Sequence, residues 1–326
     1  MHNYLSFSNG FNAYLSEYTT QLSNLSPKEL YEPESYILNL SGKRVRPILA
    51  LVACDLFEKD FKLALNAAAA VELFHNFSLI HDDILDAAPL RRSQPTVHMK
   101  WNTNIAILSG DVMLVKAFKQ LERYPAEQFK QLCTIFSKTS IEVCEGQQND
   151  MNFESRVDVS VDEYIEMITK KTAVLLGCSL QMGAICAGAG ETDQNHLYEF
   201  GKHIGIAFQL LDDYLDAFAP DADKFGKQVG GDIIANKKTY LLLKTMQLAN
   251  SAQKKELERL LLESDATLKV NGMLNLFNHL NVKSMCLEEA DKHTKTAISE
   301  LEKLTVNTVK KKDLEIFALN LLQRSI

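Results

Sequence analysis

The sequence predicts an all-α protein, and three observations carry that prediction. Apolar residues recur at spacings of three and four through six long stretches, the period of a helix with one buried face. The seven prolines all fall at or before Pro220, with none between Pro125 and Pro220, so nothing interrupts helices across the middle of the chain. Runs of alternating β-branched residues bounded by turn signals, the mark of strands, are scarce.

The elements run in order. "SPKE" at 26–29 offers Ser26 as an N-cap, Pro27 at the first helical position and Glu29 to close a capping box. Periodic apolar positions then run through 60–87, 103–122, 126–151, 161–188, 193–218 and 283–304. "SVDE" supplies a second capping box, Ser160 with Glu163, at the head of the fourth stretch. Beyond residue 250 Lys and Glu alternate with Leu and Ile, the pattern of peripheral helices with solvated charged faces. No polar linker or low-complexity segment divides the chain, so residues 1–326 read as one domain.

With 46% apolar and 24% charged residues, the 326-residue chain can bury a sizeable core, which excludes disorder. A net charge of −7 without a basic arm or stripe excludes non-specific nucleic-acid binding. "MHNYLSFSNG" lacks the basic and apolar regions of a signal peptide. The most membrane-like window, the charge-free 172–190, is rich in Gly and Ala and contains Ser179 and Gln181, which suits a closely packed core helix rather than a span. Cys54, Cys133, Cys144, Cys178, Cys186 and Cys286 form no CxxC pair, so zinc and a disulfide framework are not expected; they read as small core residues in a reducing cytoplasm.

Two acidic clusters carry the chemistry. "HDDILDAAPLRR" at 81–92 holds Asp82, Asp83 and Asp86, and "FQLLDDYLD" at 208–216 repeats the DDxxD spacing with Asp212, Asp213 and Asp216. On a helix the first and last aspartates of each set share a face, and like charges there repel. An exposed acidic turn would account for one such cluster. It does not account for two, each ending an apolar helix and each followed by a loop with proline and a basic residue. Hard carboxylate oxygens suit Mg²⁺, which takes one or two of them and fills its octahedron with water and phosphate oxygens. Basic residues accompany both clusters: Lys43, Arg44 and Arg46 in "SGKRVRP", then Arg91 and Arg92, Lys170 and Lys171 beside Thr172, and Lys227 and Lys237. Arginine forks match phosphate oxygens and lysines add point charge, so the pattern points to two carboxylate walls facing each other across a polyphosphate.

Taken in order across 40–240, these motifs resemble a known family. GKRxRP (42–47), the first aspartate motif with its arginines (82–92), "SQPTVH" (93–98), "SGD" (109–111), "EGQQND" (145–150), "KTA" (171–173), the second aspartate motif and "GKQVGGD" (226–232) are similar to those of the trans-type isoprenyl diphosphate synthases, or polyprenyl synthetases. The resemblance implies a single-domain bundle of long, mostly antiparallel helices around a central cavity, the isoprenoid synthase type I fold. It implies head-to-tail condensation of isopentenyl diphosphate with a dimethylallyl, geranyl or farnesyl diphosphate. Asp82, Asp86 and Asp212 would bind Mg²⁺ on the allylic diphosphate, with Asp83, Asp213 and Asp216 supporting that metal set and three Mg²⁺ accompanying the bound diphosphate. Arg91, Lys171, Lys227 and Lys237 would hold the same diphosphate, and isopentenyl diphosphate would sit on Lys43, Arg46, His75 and Arg92. Gln209 and Thr172 would lie near the reacting centre. Without the family, His75 reads as a satisfied core histidine. A cytoplasmic homodimer without a membrane span is also implied.

The chain departs from the pattern in places. Ser93 replaces the usual Gly after the arginines, and "ANKKT" at 235–239 replaces EGKxT, where spacing selects Lys237 over Lys238. Product length in this family follows the depth of the tunnel below the first motif. Phe77, five residues before Asp82, would floor it together with Phe74, while the small Ser78 leaves the floor singly blocked, which implies a product of twenty carbons, with fifteen next. A regulatory subunit usually lacks one aspartate motif, and both are present here. A terpene cyclase would not need Lys43, Arg46 and Arg92. A non-catalytic cation-binding protein leaves the basic motifs unexplained, and neither cluster has EF-hand spacing.

Overall fold

The periodic stretches form helices, and the computed structural model describes them over residues 2–219 and 230–323. In chain order they are α1 (His2–Leu22), α2 (Lys28–Asn39), α3 (Val45–Leu56), α4 (Leu65–Leu85), α5 (Val97–Lys100), α6 (Thr103–Leu121), α7 (Ala126–Ser155), α8 (Val161–Ile168), α9 (Val174–Cys186) and α10 (Glu191–Phe218). After them come α11 (Gly231–Ile234), α12 (Tyr240–Leu248), α13 (Ser251–Leu261), α14 (Ala266–His279), α15 (Val282–Glu302) and α16 (Thr308–Gln323). The chain sorts by contact into two units. One comprises Met1–Ser140, Cys178–Tyr198 and Thr305–Asn307; the other comprises Ile141–Gly177, Glu199–Leu304 and Thr308–Ile326.

The first unit is built on α4, which packs against both α3 and α6. Ala67, Ala68, Ala69 and Ala70 are buried with Val71, Leu73 and Phe74, so α4 is apolar nearly all round and serves as a core helix. With its preceding 3₁₀ turn, Phe61–Leu85 is long and apolar enough to cross a membrane, yet 61% of its most apolar 18-residue window is buried inside the protein. The window 172–190 does not form such a helix, because α9 spans 13 residues and most of it is core. The short segment Thr305–Asn307 joins this unit through Asp193, whose carboxylate accepts the Thr305 N–H at 3.0 Å and the Thr305 hydroxyl.

In the second unit, α8 starts as its capping box requires. Ser160 Oγ accepts the Glu163 N–H at 3.2 Å, and Glu163 Oε2 accepts the Ser160 N–H at 2.9 Å. Elsewhere His203 of α10 meets His293 of α15, Nδ1 to Nδ1 at 2.8 Å.

Four details differ from the sequence reading. Ser26 does not cap α2: Pro27 has an extended ψ of 145° and is itself the N-cap residue, so the helix begins at Lys28, one residue late for the Ser26 hydroxyl. The stretch 161–188 is not one regular helix, because Thr169–Ala173 is a π turn between α8 and α9; one extra residue in a turn leaves the apolar pattern on either side intact. Cys144 is exposed and Cys133 intermediate, since both lie on outward positions of α7, whereas Cys54, Cys178, Cys186 and Cys286 are buried. A small antiparallel hairpin, β1 (Leu90–Arg91) with β2 (Gln94–Pro95), comes after the first aspartate cluster. Its two central residues, Arg92 and Ser93, have φ of 52° and 62°, the signature of a type I′ turn.

Candidate active site

In the first unit the end of α4 presents the first acidic cluster. Asp82 is half-buried and Asp86, the C-cap residue, is exposed, while Asp83 one position round the helix is buried. The helical step of about 100° separates them in this way. Asp83 is engaged by Arg91, whose Nε donates at 2.9 and 2.8 Å to the two carboxylate oxygens and whose Nη2 donates at 2.7 Å. The hairpin turns the next residue elsewhere: Arg92 Nη1 donates to the Leu40 carbonyl at 3.4 Å. Gly42 makes room for it, since a Cβ there would lie 2.6 Å from Arg92 Nη1.

The GKRxRP loop sorts its cations. Arg44 sits at φ 48° and is spent internally, on Glu72 and on the Leu38 and Leu40 carbonyls. Lys43 is exposed. Arg46 Nη1 lies 3.3 Å from His75 Nε2, and Arg46 Nε is buried without a hydrogen-bond partner. Burial pushes Arg46 down to about 10, which leaves it charged at neutral pH. Burial, and then the charges of Arg46, Arg92, Arg91 and Arg44, hold the His75 imidazole well below its ordinary value, so it is neutral there. Arg92 is lowered by burial and by Arg44. Glu72 answers Arg44 and Asp83 answers Arg91. Positive charge on Arg46, Arg92 and Lys43 remains over, which is what an anionic ligand needs.

Below this cluster lie the predicted floor residues. Phe77 packs its ring 5.6 Å from that of Phe74 and 4.7 Å from that of His81. Phe74 continues to Phe136 at 5.6 Å, and Phe136 to Phe118 at 4.9 Å. Ser78 is half-buried and donates its hydroxyl to the His75 carbonyl at 2.8 Å. Two surface pockets of this unit, about 550 Å³ around Gln181 and about 400 Å³ around Trp101, are lined by none of the predicted site residues.

In the second unit α10 carries the other acidic cluster, sorted alike at its first two positions and differently at its third. Asp212 is half-buried, whereas Asp213 and Asp216 are buried. Asp213 accepts the Tyr164 hydroxyl and the Tyr240 N–H at 3.2 Å, and burial pushes it up to about 7. Asp216 accepts the Asp232 N–H at 2.9 Å. Lys237 lies 3.3 Å from Asp232, and Lys227 lies outside the described residues. The π turn holds the lysine motif: Lys171 pairs with Asp150, and Thr172 donates its hydroxyl to Gln209 Oε1 at 3.3 Å. It can do so because Gly146 of α7 lets two backbones touch; a Cβ there would lie 2.3 Å from Lys171 N.

Among the described residues no three His, Cys, Asp or Glu side chains gather into a ready metal cage. Asp82 and Asp86, and separately Asp212, instead offer hard, water-accessible oxygens, and that donor set fits Mg²⁺, which keeps positions for water and phosphate. Glu72, Tyr164 and Asp150 were not singled out as site residues from the sequence. Asp150 lay inside "EGQQND", a motif whose function the residues alone left open.

Residues 27–276 match the family model described as polyprenyl synthetase. The chain is 38% identical over 303 residues to a geranylgeranyl diphosphate synthase of Saccharolobus solfataricus, covering 91% of each. To a short chain isoprenyl diphosphate synthase of Methanothermobacter thermautotrophicus it is 37% identical over 284 residues, covering 87% of each. A crystal structure of a geranylgeranyl pyrophosphate synthase superimposes with a TM-score of 0.93 at 44% identity, covering 99% of both chains.

Proposed function

The chain belongs to the polyprenyl synthetase family and is a trans-prenyltransferase, and from that premise we propose that it condenses isopentenyl diphosphate head-to-tail with an allylic diphosphate to give geranylgeranyl diphosphate. The observation that carries this reading is the surplus of guanidinium charge, Arg46 and Arg92 beside a neutral His75, next to the first aspartates. A diphosphate supplies the missing anion, and Lys43, Arg46, His75 and Arg92 hold isopentenyl diphosphate there. Asp82 and Asp86, and Asp212, would hold Mg²⁺ for the allylic diphosphate, with Asp83, Asp213 and Asp216 kept in place by their protein partners. When bound, Mg²⁺ supplies Lewis-acid help and offsets the charge of the leaving diphosphate.

Lys171, Lys227 and Lys237, with Arg91, add positive charge to the same leaving group, so the carbon–oxygen bond breaks towards that charge. Thr172 and Gln209 stand at the reacting carbon, where the double bond of isopentenyl diphosphate attacks the allylic cation and the proton then lost passes to the departing diphosphate. The aromatic cluster under Phe77 keeps water from that cation and stops the chain at twenty carbons. Residues 1–326 act as one polyprenyl synthetase domain, in support of which the family match runs through segments of both units. The enzyme works as a cytoplasmic homodimer. Six free cysteines support the first term, and Ile107, Leu108 and Val115, exposed along α6, support the second.

The test is incubation with Mg²⁺, isopentenyl diphosphate and, separately, dimethylallyl, geranyl and farnesyl diphosphates, with separation of the dephosphorylated products. Products ending at twenty carbons, and longer ones from Phe77→Ala, are expected. No condensation with any primer from folded protein would overturn the reaction; an unchanged ladder from Phe77→Ala would overturn the floor.

A further inference from the structure

The π turn between α8 and α9 presents two adjacent lysines that the surrounding carboxylates treat differently. Lys170 pairs with Glu145 at 3.1 Å and Glu166 at 2.9 Å. Lys171 pairs with Asp150 instead. The backbone beneath them is held from two sides. Gly146 touches it at Lys171, and Gly205 of α10 touches it two residues further on, where a Cβ would lie 2.6 Å from Ala173 Cα. Either glycine replaced by a larger residue would push the turn away. The main chain of Lys171 is therefore fixed, and the remaining freedom is in its long side chain, which loses much rotamer entropy when it is ordered.

We propose that Asp150 is a positioning residue for Lys171, holding its ammonium extended and apart from the Glu145/Glu166 pair so that it is ready for the allylic diphosphate. This rests on the reading of Lys171 as a ligand of that diphosphate. Both members of the pair are partly exposed, and such pairs contribute little to stability, so the placement of the ammonium is what the pair secures. Helix α7 thereby serves the lysine motif twice within five residues: Gly146 admits the backbone and Asp150 aims the side chain. The motif "EGQQND" acquires a function in these terms.

The experiment is steady-state kinetics with each substrate varied in turn, with melting temperatures measured alongside. Asp150→Asn is expected to raise the KM for the allylic diphosphate by about five- to tenfold, leaving the KM for isopentenyl diphosphate unchanged, a shift within the range that coupled residues show. Asp150→Glu, which keeps the charge, should restore most of the loss, and it keeps the test alive should Asp150→Asn melt early. If Asp150 acts through Lys171, the double variant Asp150→Asn/Lys171→Ala behaves as Lys171→Ala alone. Additive losses, equal effects on both substrates, or an unchanged or lowered allylic KM in Asp150→Asn would overturn the proposal. Should Lys171→Ala itself leave the allylic KM at the wild-type value, the reading of Lys171 falls and takes the proposal with it. A raised KM in Lys171→Ala with none in Asp150→Asn refutes the inference about Asp150 alone.

Discussion

Ser93, at φ 62°, occupies a backbone conformation that glycine adopts freely and an L-residue resists. It stands where relatives of this kind usually have glycine. Ser93→Gly is therefore expected to stabilise the protein by about 1 kcal/mol, read as a higher melting temperature; a lower one would mean that the serine side chain makes a contact outweighing the strain. At this scale the sequence was a partial guide. Spacing alone put Asp82 and Asp86 on one face and turned Asp83 away, because a helix advances by a fixed angle. It could not sort Arg44 from Arg46: what separates them is a left-handed backbone at Arg44 and a glutamate 28 residues on. Tyr164 was invisible for a similar reason, since its hydroxyl finds Asp213, 49 positions away.

Between elements, α10 and α15 meet through His203 and His293, and their contact has a definite pH dependence. An unfolded histidine titrates near pH 6.5. Burial, then the neighbouring His203, lowers His293 to about 4, and burial lowers His203 too. The folded state thus takes up fewer protons than the unfolded chain between these values, so this stability is complete above pH 6.5 and is lost as the pH falls towards 4. The charges facing the pair, Glu199 and Lys202 on α10 with Glu289, Lys292 and Glu300 on α15, are of mixed sign and do not reverse that direction. Denaturant midpoints should fall between pH 7 and 5, less steeply in His293→Gln; parallel slopes would refute the assignment. Helices as long as these were legible because their apolar period persists over many turns. The π turn was not, because a single inserted residue changes which way Lys171 points without disturbing the pattern on either side.

For the whole molecule, sedimentation should give twice the 36.7 kDa of one chain, and Val115→Lys, placing a charge on the exposed face of α6, should reduce it to one. A dimer that survives this change would move the interface elsewhere. The all-α architecture could be read from periodicity, but the grouping of helices into two sets could not, since contact ignores chain order. The bond between Asp193 and Thr305 ties that grouping to the timing of synthesis. Translation runs from the N-terminus, and the first set of helices includes residues 178–198 and 305–307. A nascent chain that has reached residue 140 therefore exposes apolar surface whose covering has yet to be translated. Completion waits for almost the last helix, and long-range closure of this kind is slow and prone to aggregation. Chains stalled or truncated before Thr305 should accordingly be clients of chaperones and proteases, whatever the integrity of their catalytic residues.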